Sequence, residues 1–255
     1  MKNSIADGKI WKILIWLVLL FFFIYSFRTI IDLEQATNPR RLQAFVRVLT
    51  VLAQPNLFDS EISQQVTKKM WETIQIAFLA TVMSAIFAIP LTFLSARTSS
   101  LWGRGFNILL QPILAAVRSI HPLITVIPAI ILAGIGPTGG VLAITLFSTA
   151  VLSTKFSEYA TQRTSLNWTT LITAHFPGIA FRCLPTNLLI ATVIGFMGGG
   201  GIGFLLQQWL NLLEYGDASV AIIAIIISVE SIDLLSRAVW QKIQNAEPPQ
   251  LSTSE

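Results

Sequence analysis

The chain has 255 residues, of which 53% are hydrophobic and only 12% are charged. Soluble domains carry about 25% charged residues, so this composition excludes an ordinary soluble enzyme, and its hydrophobic content excludes a disordered chain. The net charge of +4 comes from Lys and Arg residues at the ends of apolar runs. This pattern is typical of loops that flank a bilayer rather than of a nucleic-acid-binding face. The single cysteine excludes an intrachain disulfide.

Long runs without charged residues predict membrane-spanning helices, because about 20 apolar residues cross the hydrocarbon core. The first run, 11–31, follows basic residues in an N-terminal segment, 1–10, and lacks a small-residue cleavage site, so we interpret it as an uncleaved helix. Segment 32–72 is predicted to lie on the outer side of the membrane and to contain an amphipathic element. The run of 36 residues from Ser119 to Thr154 is long enough for two crossings, with a turn at 136–140. The six predicted spans are 11–31, 73–96, 119–135, 140–157, 183–204 and 218–237.

The distribution of positive charge predicts the orientation of these spans. With the N-terminus in the cytoplasm, 11 Lys and Arg residues fall on the inner side and 6 on the outer side. This bias predicts cytoplasmic termini, with 238–255 as a cytoplasmic tail. A crossing within 98–118 would reverse the bias, so we predict that Phe106–Val117 is a short helix lying at the cytoplasmic face.

The sequence predicts neither a catalytic site nor a metal site. It contains no P-loop and no nucleophile elbow, and its two histidines lie far apart without cysteine or carboxylate at ligand spacing. Arg237 follows Asp233 by four residues, which favours an ion pair over an acidic site at membrane depth. His121, which precedes Pro122, is either a polar cap at the start of a span or a hydrogen-bond donor that faces a pore.

Glycine is concentrated in the predicted span 183–204. Two interpretations remain open: close packing of helices through small residues, or a bend that lines a pathway or flexes during gating. The six glycines are Gly195, Gly198, Gly199, Gly200, Gly201 and Gly203.

The polar segment 157–182 is predicted to be a long cytoplasmic loop with helical character. Glu158 is expected near the start of a loop helix, where a carboxylate is favoured by the helix dipole. Pro177 is expected to mark a helix stop, because proline disfavours helix at the preceding residue.

In chain order, several segments resemble the permease subunit of a bacterial ABC importer of the phosphonate/phosphite type. The resemblance covers roughly Glu72 to Arg237. It lies in Glu72-Thr73-Ile74-Gln75-Ile76-Ala77, the stretch 90–97, Arg118-Ser119-Ile120, the turn 134–143, Asn187 with the glycine run, and Asp233-Leu234-Leu235-Ser236.

The resemblance implies the all-α, type I ABC importer permease fold, with 73–237 as the conserved transmembrane domain. Permeases of this superfamily carry a cytoplasmic Glu-Ala-Ala coupling loop, and Glu158, Ala160 and Pro177 fall at its spacing, whereas Thr164 stands where the family has glycine. The glycine run would then serve the pore or its gating. Asn187 and His121 are candidates for polar groups of the pore.

The resemblance also implies a function. The chain would move phosphonate, phosphite or a related phosphorus oxyanion across the bacterial inner membrane as a multi-pass subunit without enzyme activity. ATP and Mg²⁺ would bind a partner ATPase dimer, and no cofactor would bind this chain. The other implied partners are a second permease copy or paralogue, a periplasmic solute-binding protein and the lipid bilayer, with no nucleic acid. The alternatives are a permease of this fold for another small solute, such as an amino acid, and a protein of another class, a channel or an intramembrane enzyme.

Overall fold

The computed structural model describes residues 3–31, 38–95, 101–162 and 168–245, and these residues are almost entirely helical, with no strand among them. They divide into two compact units, 1–53 and 54–255. The all-helical prediction is therefore confirmed for the described part of the chain.

The described residues of the first unit form two helices. Helix α1, Asn3–Ile30, carries the apolar span Trp11–Ile30 of mean hydropathy 2.2, and none of that span is buried by protein. Helix α2, Pro39–Leu52, is the amphipathic element predicted within 32–72, and it begins at an Asn38 cap with proline in its first turn.

The second unit contains the remaining helices. They are α3 (Ser60–Ser95), α4 (Leu101–Ser119), α5 (Pro122–Ala133), α6 (Pro137–Gln162), α7 (Trp168–Thr170), α8 (Phe176–Phe181), α9 (Leu184–Ile194), α10 (Gly201–Asn211) and α11 (Tyr215–Asn245). Two π-helical turns, Leu171–His175 and Gly195–Gly199, interrupt this order.

The α3 helix packs through a stripe of small residues. Lipid tails are as apolar as leucine, so helices in a membrane associate through close packing rather than through exclusion from water. Every third or fourth position of α3 is therefore Ala, Ser or Thr, and its hydroxyls bond back to the helix, as from Thr81 to the Ala77 carbonyl at 2.7 Å. The fully buried members of the stripe are Thr73, Ala77, Ala80, Ser84, Ala88 and Thr92.

Helices α3 and α6 run in the same direction. At one end, a Cβ on Gly200 would lie 3.0 Å from Glu72 Oε1 and 2.9 Å from Pro137 N, so the early parts of both helices meet at this glycine. Towards the other end, the Thr92 hydroxyl lies 3.4 Å from the Ser153 carbonyl oxygen. The parallel arrangement follows because α5 returns between them.

Helix α11 runs parallel to α3 and α6. Its first turn receives a 2.6 Å hydrogen bond from Asn56, just before α3, to Asp217. Towards its end, Trp240 makes an edge contact with Tyr159 of α6 at a centroid distance of 6.3 Å. The second unit thus has a glycine end, near Glu72 and Gly200, and a Tyr159 end, near Tyr159 and Trp240.

The structure places several helix ends away from the predicted span limits. Helix α3 begins 13 residues before residue 73 and is about 54 Å long, longer than the ~30 Å hydrocarbon core. Helix α6 extends past 157 to Gln162, and α11 continues past 237 to Asn245. In contrast, α5 has 12 residues, about 18 Å, and is shorter than the span predicted at 119–135.

Two junctions between predicted segments are bends in the structure. The predicted surface helix Phe106–Val117 lies within α4, which meets α5 at 94°. The run Leu171–Phe181, in the predicted loop 157–182, meets Leu184–Gly199, in the predicted span 183–204, at 42°. Among the described residues, four helices are long and apolar enough to cross a membrane, and the number rises to six when each bent pair counts as one span. The six predicted spans match this upper number.

Candidate functional site

The glycine run bends the chain between α9 and α10. Residues Gly195–Gly199 form a π-helical turn, and Gly198, Gly200 and Gly201 have φ angles of 95°, 79° and 72°. These angles lie in the region that L side chains with a Cβ rarely adopt. The predicted crossing 183–204 is therefore divided by a turn that only glycine accommodates.

The same glycines allow close backbone contact. Gly136 N donates to the Gly198 carbonyl at 2.8 Å, joining the start of α6 to the turn. A Cβ on Gly140 would lie 2.6 Å from the Gly199 carbonyl oxygen, and a Cβ on Gly203 would overlap the Thr192 carbonyl. The segment is thus both bent and tightly packed, whereas a role in lining a pathway or in gating stays a prediction.

Helix α3 caps the first turn of α10 from a distance of 129 residues in sequence. Glu72 Oε1 accepts from Gly201 N at 3.0 Å, and Thr73 Oγ1 accepts from Ile202 N at 2.7 Å. Lys69 pairs with the other carboxylate oxygen of Glu72 at 2.7 Å. A carboxylate at a helix N-terminus is favoured by the exposed N–H groups and the helix dipole, so Glu72 and Thr73 hold α10 against α3.

Sequence reasoning gives Glu72 and Thr73 no role of their own. The available signal is negative: Gly200, which precedes α10, has no side chain to cap the helix, so the cap has to come from another element. Which element supplies it depends on the tertiary fold.

Asn187 connects three helices inside the second unit and is 1% exposed. Ser148 of α6 donates to Asn187 Oδ1 at 2.5 Å, and Asn187 Nδ2 donates to Thr81 Oγ1 of α3 at 2.8 Å. Interhelical amide and hydroxyl bonds of this kind hold membrane helices in register. In this conformation Asn187 is enclosed by α3, α6 and α9 and does not face an open cavity.

His121 is the cap of α5. Its Nδ1 accepts from Leu123 N at 3.3 Å, and its backbone is extended before Pro122, which occupies the first turn. The cap interpretation is therefore confirmed, whereas the pore interpretation stays a prediction.

Glu158 does not begin a loop helix. It lies in the last turns of α6, which continues to Gln162, and it is exposed. The helix continues because Phe156 and Ala160 are both buried in one apolar cluster and hold this turn against its neighbours. The predicted dipole stabilisation of Glu158 is therefore wrong.

Pro177 does not end a helix. It sits in the first turn of α8, directly after the π turn Leu171–His175, and the helical run extends from Trp168 to Phe181. A π turn widens the helix, so the proline ring and its missing N–H are tolerated where a regular α-helix would break. Thr164 lies outside the described residues.

The run Trp168–Phe181 has an inner and an outer face. Its buried face, which includes Leu171, Phe176 and Ile179, packs in a cluster with α6, and Phe156 and Phe176 make an edge contact at 4.7 Å. His175 Nδ1 lies 3.2 Å from the Tyr159 hydroxyl. The outer face is exposed and small or polar, and consists of Thr169, Thr170, Thr173, Ala174 and Pro177.

The described residues contain no group of three or more His, Cys, Asp or Glu side chains that could hold a metal ion. Asp233 pairs with Arg237 at 2.5 Å, which confirms the predicted ion pair on α11. The arrangement offers a bent, glycine-lined segment at one end and a docked helical run with an exposed face at the other.

Comparison with known proteins identifies relatives of this chain in sequence. No family model matches the chain. It is 29% identical over 187 residues to the phosphate-import permease protein PhnE of Mycolicibacterium smegmatis, with 66% of this chain and 35% of that protein covered. It is 26% identical over 183 residues to the phosphite transport system permease protein PtxC of Stutzerimonas stutzeri, covering 65% of this chain and 66% of that protein. The chain thus spans about a third of the mycobacterial relative and about two thirds of the phosphite relative.

Solved structures give the fold. The MetNI methionine ABC transporter in an inward-facing conformation matches with a TM-score of 0.60 and 14% identity, over 72% of this chain and 99% of that chain. An amino acid ABC transporter solved with histidines matches with a TM-score of 0.51 and 12% identity, over 72% of this chain and 98% of that chain. Together with the apolar spans, these matches show that the chain is a multi-pass membrane protein with the fold of an ABC importer permease, similar in sequence to phosphate- and phosphite-import permeases.

Proposed function

We propose that this chain is the membrane-spanning permease subunit of an ATP-driven importer for phosphonate, phosphite or a related phosphorus oxyanion. The observation that carries the proposal is the sequence similarity to phosphate and phosphite permeases, 26–29% over 183 to 202 residues, in a chain with an ABC permease fold. The structural matches to methionine and amino acid transporters, at 14% and 12% identity, support the fold alone. The cargo is therefore inferred from the sequence relatives.

In this proposal the glycine end belongs to the moving part of the pathway. Backbone that is not helical survives at membrane depth only where protein or a water-filled cavity surrounds it. The turn at Gly195–Gly201 meets this condition, because α3 caps its far side and α6 contacts its near side. Glycine residues let the φ and ψ angles of this turn change at low conformational cost, which suits alternation between outward-open and inward-open states.

The Tyr159 end would contact the ATPase. The run Trp168–Phe181 is fixed on one side by the apolar cluster with α6 and α11 and exposed on the other. Glu158 and Pro177 are both exposed on this end. An element that is rigidly docked and partly exposed can transmit a push from a partner, so we assign coupling to this run together with the last turns of α6.

The complete importer would contain two permease subunits, two ATPase subunits and an outer solute-binding protein. The positive-charge bias supports placing the Tyr159 end, the N-terminus and the C-terminus in the cytoplasm of a bacterium, with the protein in the inner membrane. ATP and Mg²⁺ would be held by the ATPase, and substrate specificity would be set largely by the binding protein.

The proposal is tested by reconstituting the permease with its ATPase and binding protein in liposomes. We expect phosphite, a phosphonate or phosphate to stimulate ATP hydrolysis and to accumulate inside. Stimulation by methionine or histidine instead would replace the proposed cargo with an amino acid. Solute flux in liposomes that lack the ATPase subunit would indicate a channel and would contradict the importer proposal.

Coupling is tested in the same liposomes with Glu158→Lys. In this proposal Glu158 meets a basic group of the partner and is desolvated on docking. Losing one member of such a pair costs about 2–5 kcal/mol, so the variant should lose substrate-stimulated ATPase activity while the membrane core stays folded. Glu61→Lys is the matched control, because Glu61 is exposed in the first turn of α3, towards the glycine end. Unchanged stimulation in Glu158→Lys would show that this carboxylate does not couple.

A further inference from the structure

The amphipathic helix α2 has an exposed apolar face, which α1, the other described helix of its unit, does not cover. Leu42, Phe45, Val46 and Leu49 lie on one face and are 57%, 61%, 56% and 47% exposed. None of the 14 residues of α2 is buried. A stripe of this kind in a surface helix normally packs against an apolar partner.

The length of α2 makes such a partner necessary. Isolated helices shorter than about 12–15 residues are marginal in water, because the cost of nucleation is recovered only by packing of an apolar face. The Asn38 cap and Pro39 in the first turn fix where α2 begins, since Asn38 Oδ1 accepts from Arg40 N at 3.0 Å. A cap of this type contributes about 1 kcal/mol and does not replace burial of four large side chains.

The charge of α2 identifies what the partner must be. Arg40, Arg41 and Arg47 are the charged residues between Asn38 and Ala53, and the segment contains no Asp or Glu. Arg40 and Arg47 lie opposite the apolar face by helical spacing, and Arg41 lies at its edge. An apolar face on a helix whose charged residues are all basic fits a surface whose interior is apolar and whose boundary is anionic.

The chain itself holds α2 near such a surface. Helix α1 carries an apolar span of 20 residues with a mean hydropathy of 2.2, which is long enough to cross the bilayer, and it ends at Ile30. Eight residues separate Ile30 from Pro39, and eight extended residues reach at most about 28 Å. The bilayer surface is therefore within reach of α2 whatever its angle to α1.

We propose that α2 lies in the plane of the membrane surface, with Leu42, Phe45, Val46 and Leu49 among the acyl chains and its arginines against the phosphates of anionic phospholipids. Interfacial helices bury their apolar face about 5–10 Å below the headgroups. Each arginine near an anionic surface adds attraction that falls off within a Debye length. The inference rests on the chain being a membrane protein and does not depend on the proposed cargo.

The test places spin labels along α2 in the full complex, reconstituted in nanodiscs. The native cysteine is first removed with Cys183→Ser. Phe45→Cys and Leu49→Cys carry the label on the apolar face, and Gln43→Cys and Ala44→Cys are matched controls elsewhere on the helix that keep all three arginines. Collision with oxygen, which concentrates in lipid, is compared with collision with a water-soluble nickel chelate.

We expect labels at 45 and 49 to collide mainly with oxygen, at a depth of about 5–10 Å, and labels at 43 and 44 mainly with the nickel chelate. The label at 45 should lie deeper in nanodiscs that contain phosphatidylglycerol than in phosphatidylcholine alone. Replacing the three arginines with glutamine should remove this dependence, and millimolar inorganic phosphate should leave the depth unchanged.

Three results would overturn the proposal. Labels at 45 and 49 that are shielded from both reagents would show that a protein surface covers α2. Labels that collide mainly with the nickel chelate at all four positions would show that α2 stands in water. A depth that ignores phosphatidylglycerol but responds to inorganic phosphate would show that the arginines serve the free oxyanion rather than the lipid.

Discussion

Gly195→Ala should destabilise the protein, although alanine is ordinarily the better helix residue. Gly195 has helical angles, φ −53° and ψ −39°, so its backbone accepts an alanine without strain. Its new Cβ, however, would lie 2.7 Å from the Gly200 carbonyl oxygen, 2.8 Å from Gly203 Cα and 3.0 Å from Phe204 N. All three are backbone atoms, so no side chain can rotate out of the way.

The magnitude follows from these distances. An ordinary carbon–oxygen contact is at least about 3.3 Å, so the first turn of α10 has to move by roughly half an ångström. Inserting a methyl group into a closed contact costs about 2 kcal/mol, and the shift also stretches the 3.0 Å bond from Gly201 N to Glu72, which costs about 1 kcal/mol more. Better helix propensity returns at most ~1 kcal/mol, which leaves a net loss of about 2 kcal/mol.

The single cysteine provides the assay. Cys183 is free and 4% exposed, so a thiol-reactive dye labels this chain only as it unfolds, and the labelled band is separated by gel from the partner subunits. A loss of about 2 kcal/mol should lower the midpoint of thermal labelling by roughly 4–8 °C.

Gly139→Ala is the matched control. Gly139 lies in the first turn of α6, and its Cβ would meet Gly134 O and Ile130 Cγ1 at 3.1 Å, close enough to require an adjustment of only a few tenths of an ångström. Its midpoint should stay within a few degrees of the unchanged protein. Equal midpoints for Gly195→Ala and the unchanged protein would refute the reasoning, because the close approach of α9 and α10 would then not exist.

Three further predictions use the same chain. Glu72→Gln should lower the labelling midpoint by a few degrees, since it removes a carboxylate worth about 1–2 kcal/mol at the first turn of α10. Asn187→Leu should destabilise by about 1–2 kcal/mol, because it removes the acceptor of the buried Ser148 hydroxyl; adding Ser148→Ala should recover part of this loss, and no recovery would contradict the bond from Ser148 to Asn187. In a cysteine-free background, Glu158→Cys should be labelled from the cytoplasm and Asn211→Cys from outside, and the reverse pattern would invert the proposed topology.

Much of the fold can be predicted because a membrane-spanning helix requires a run of about 20 apolar residues, which is visible in the sequence. The runs that predict six spans correspond to the four long helices and two bent pairs of the structure. The start of α3 differs because residues 60–72 are polar on average. Ile62, Val66 and Met70 nevertheless recur every four residues and pack in the core, so periodicity rather than mean hydropathy indicates the true start.

The site is harder to predict because its contacts join distant segments. The caps on α10 come from residues 129 positions earlier, and no local pattern in Glu72-Thr73 indicates them. At the Tyr159 end, the two differences between the predicted and the observed helix limits have local causes instead. Burial of Phe156 and Ala160 extends α6 through Glu158, and a π turn accommodates Pro177 where the usual rule for proline predicts a stop.

Helix α9 joins the two ends of the proposed machinery. It begins directly after α8, in the part of the chain that we assign to coupling, and ends at the glycine turn. At 11 residues, about 16 Å, it is short enough to move as a rigid body, and Asn187 ties its first turn to α3 and α6. A displacement of the run Trp168–Phe181 by a docked partner would therefore pivot α9 about Asn187. The other end of α9 would then move the glycine turn, where the backbone bends at the smallest conformational cost. In this proposal Asn187 acts as a pivot that is enclosed between helices, and its role as a polar group of the pore stays a prediction.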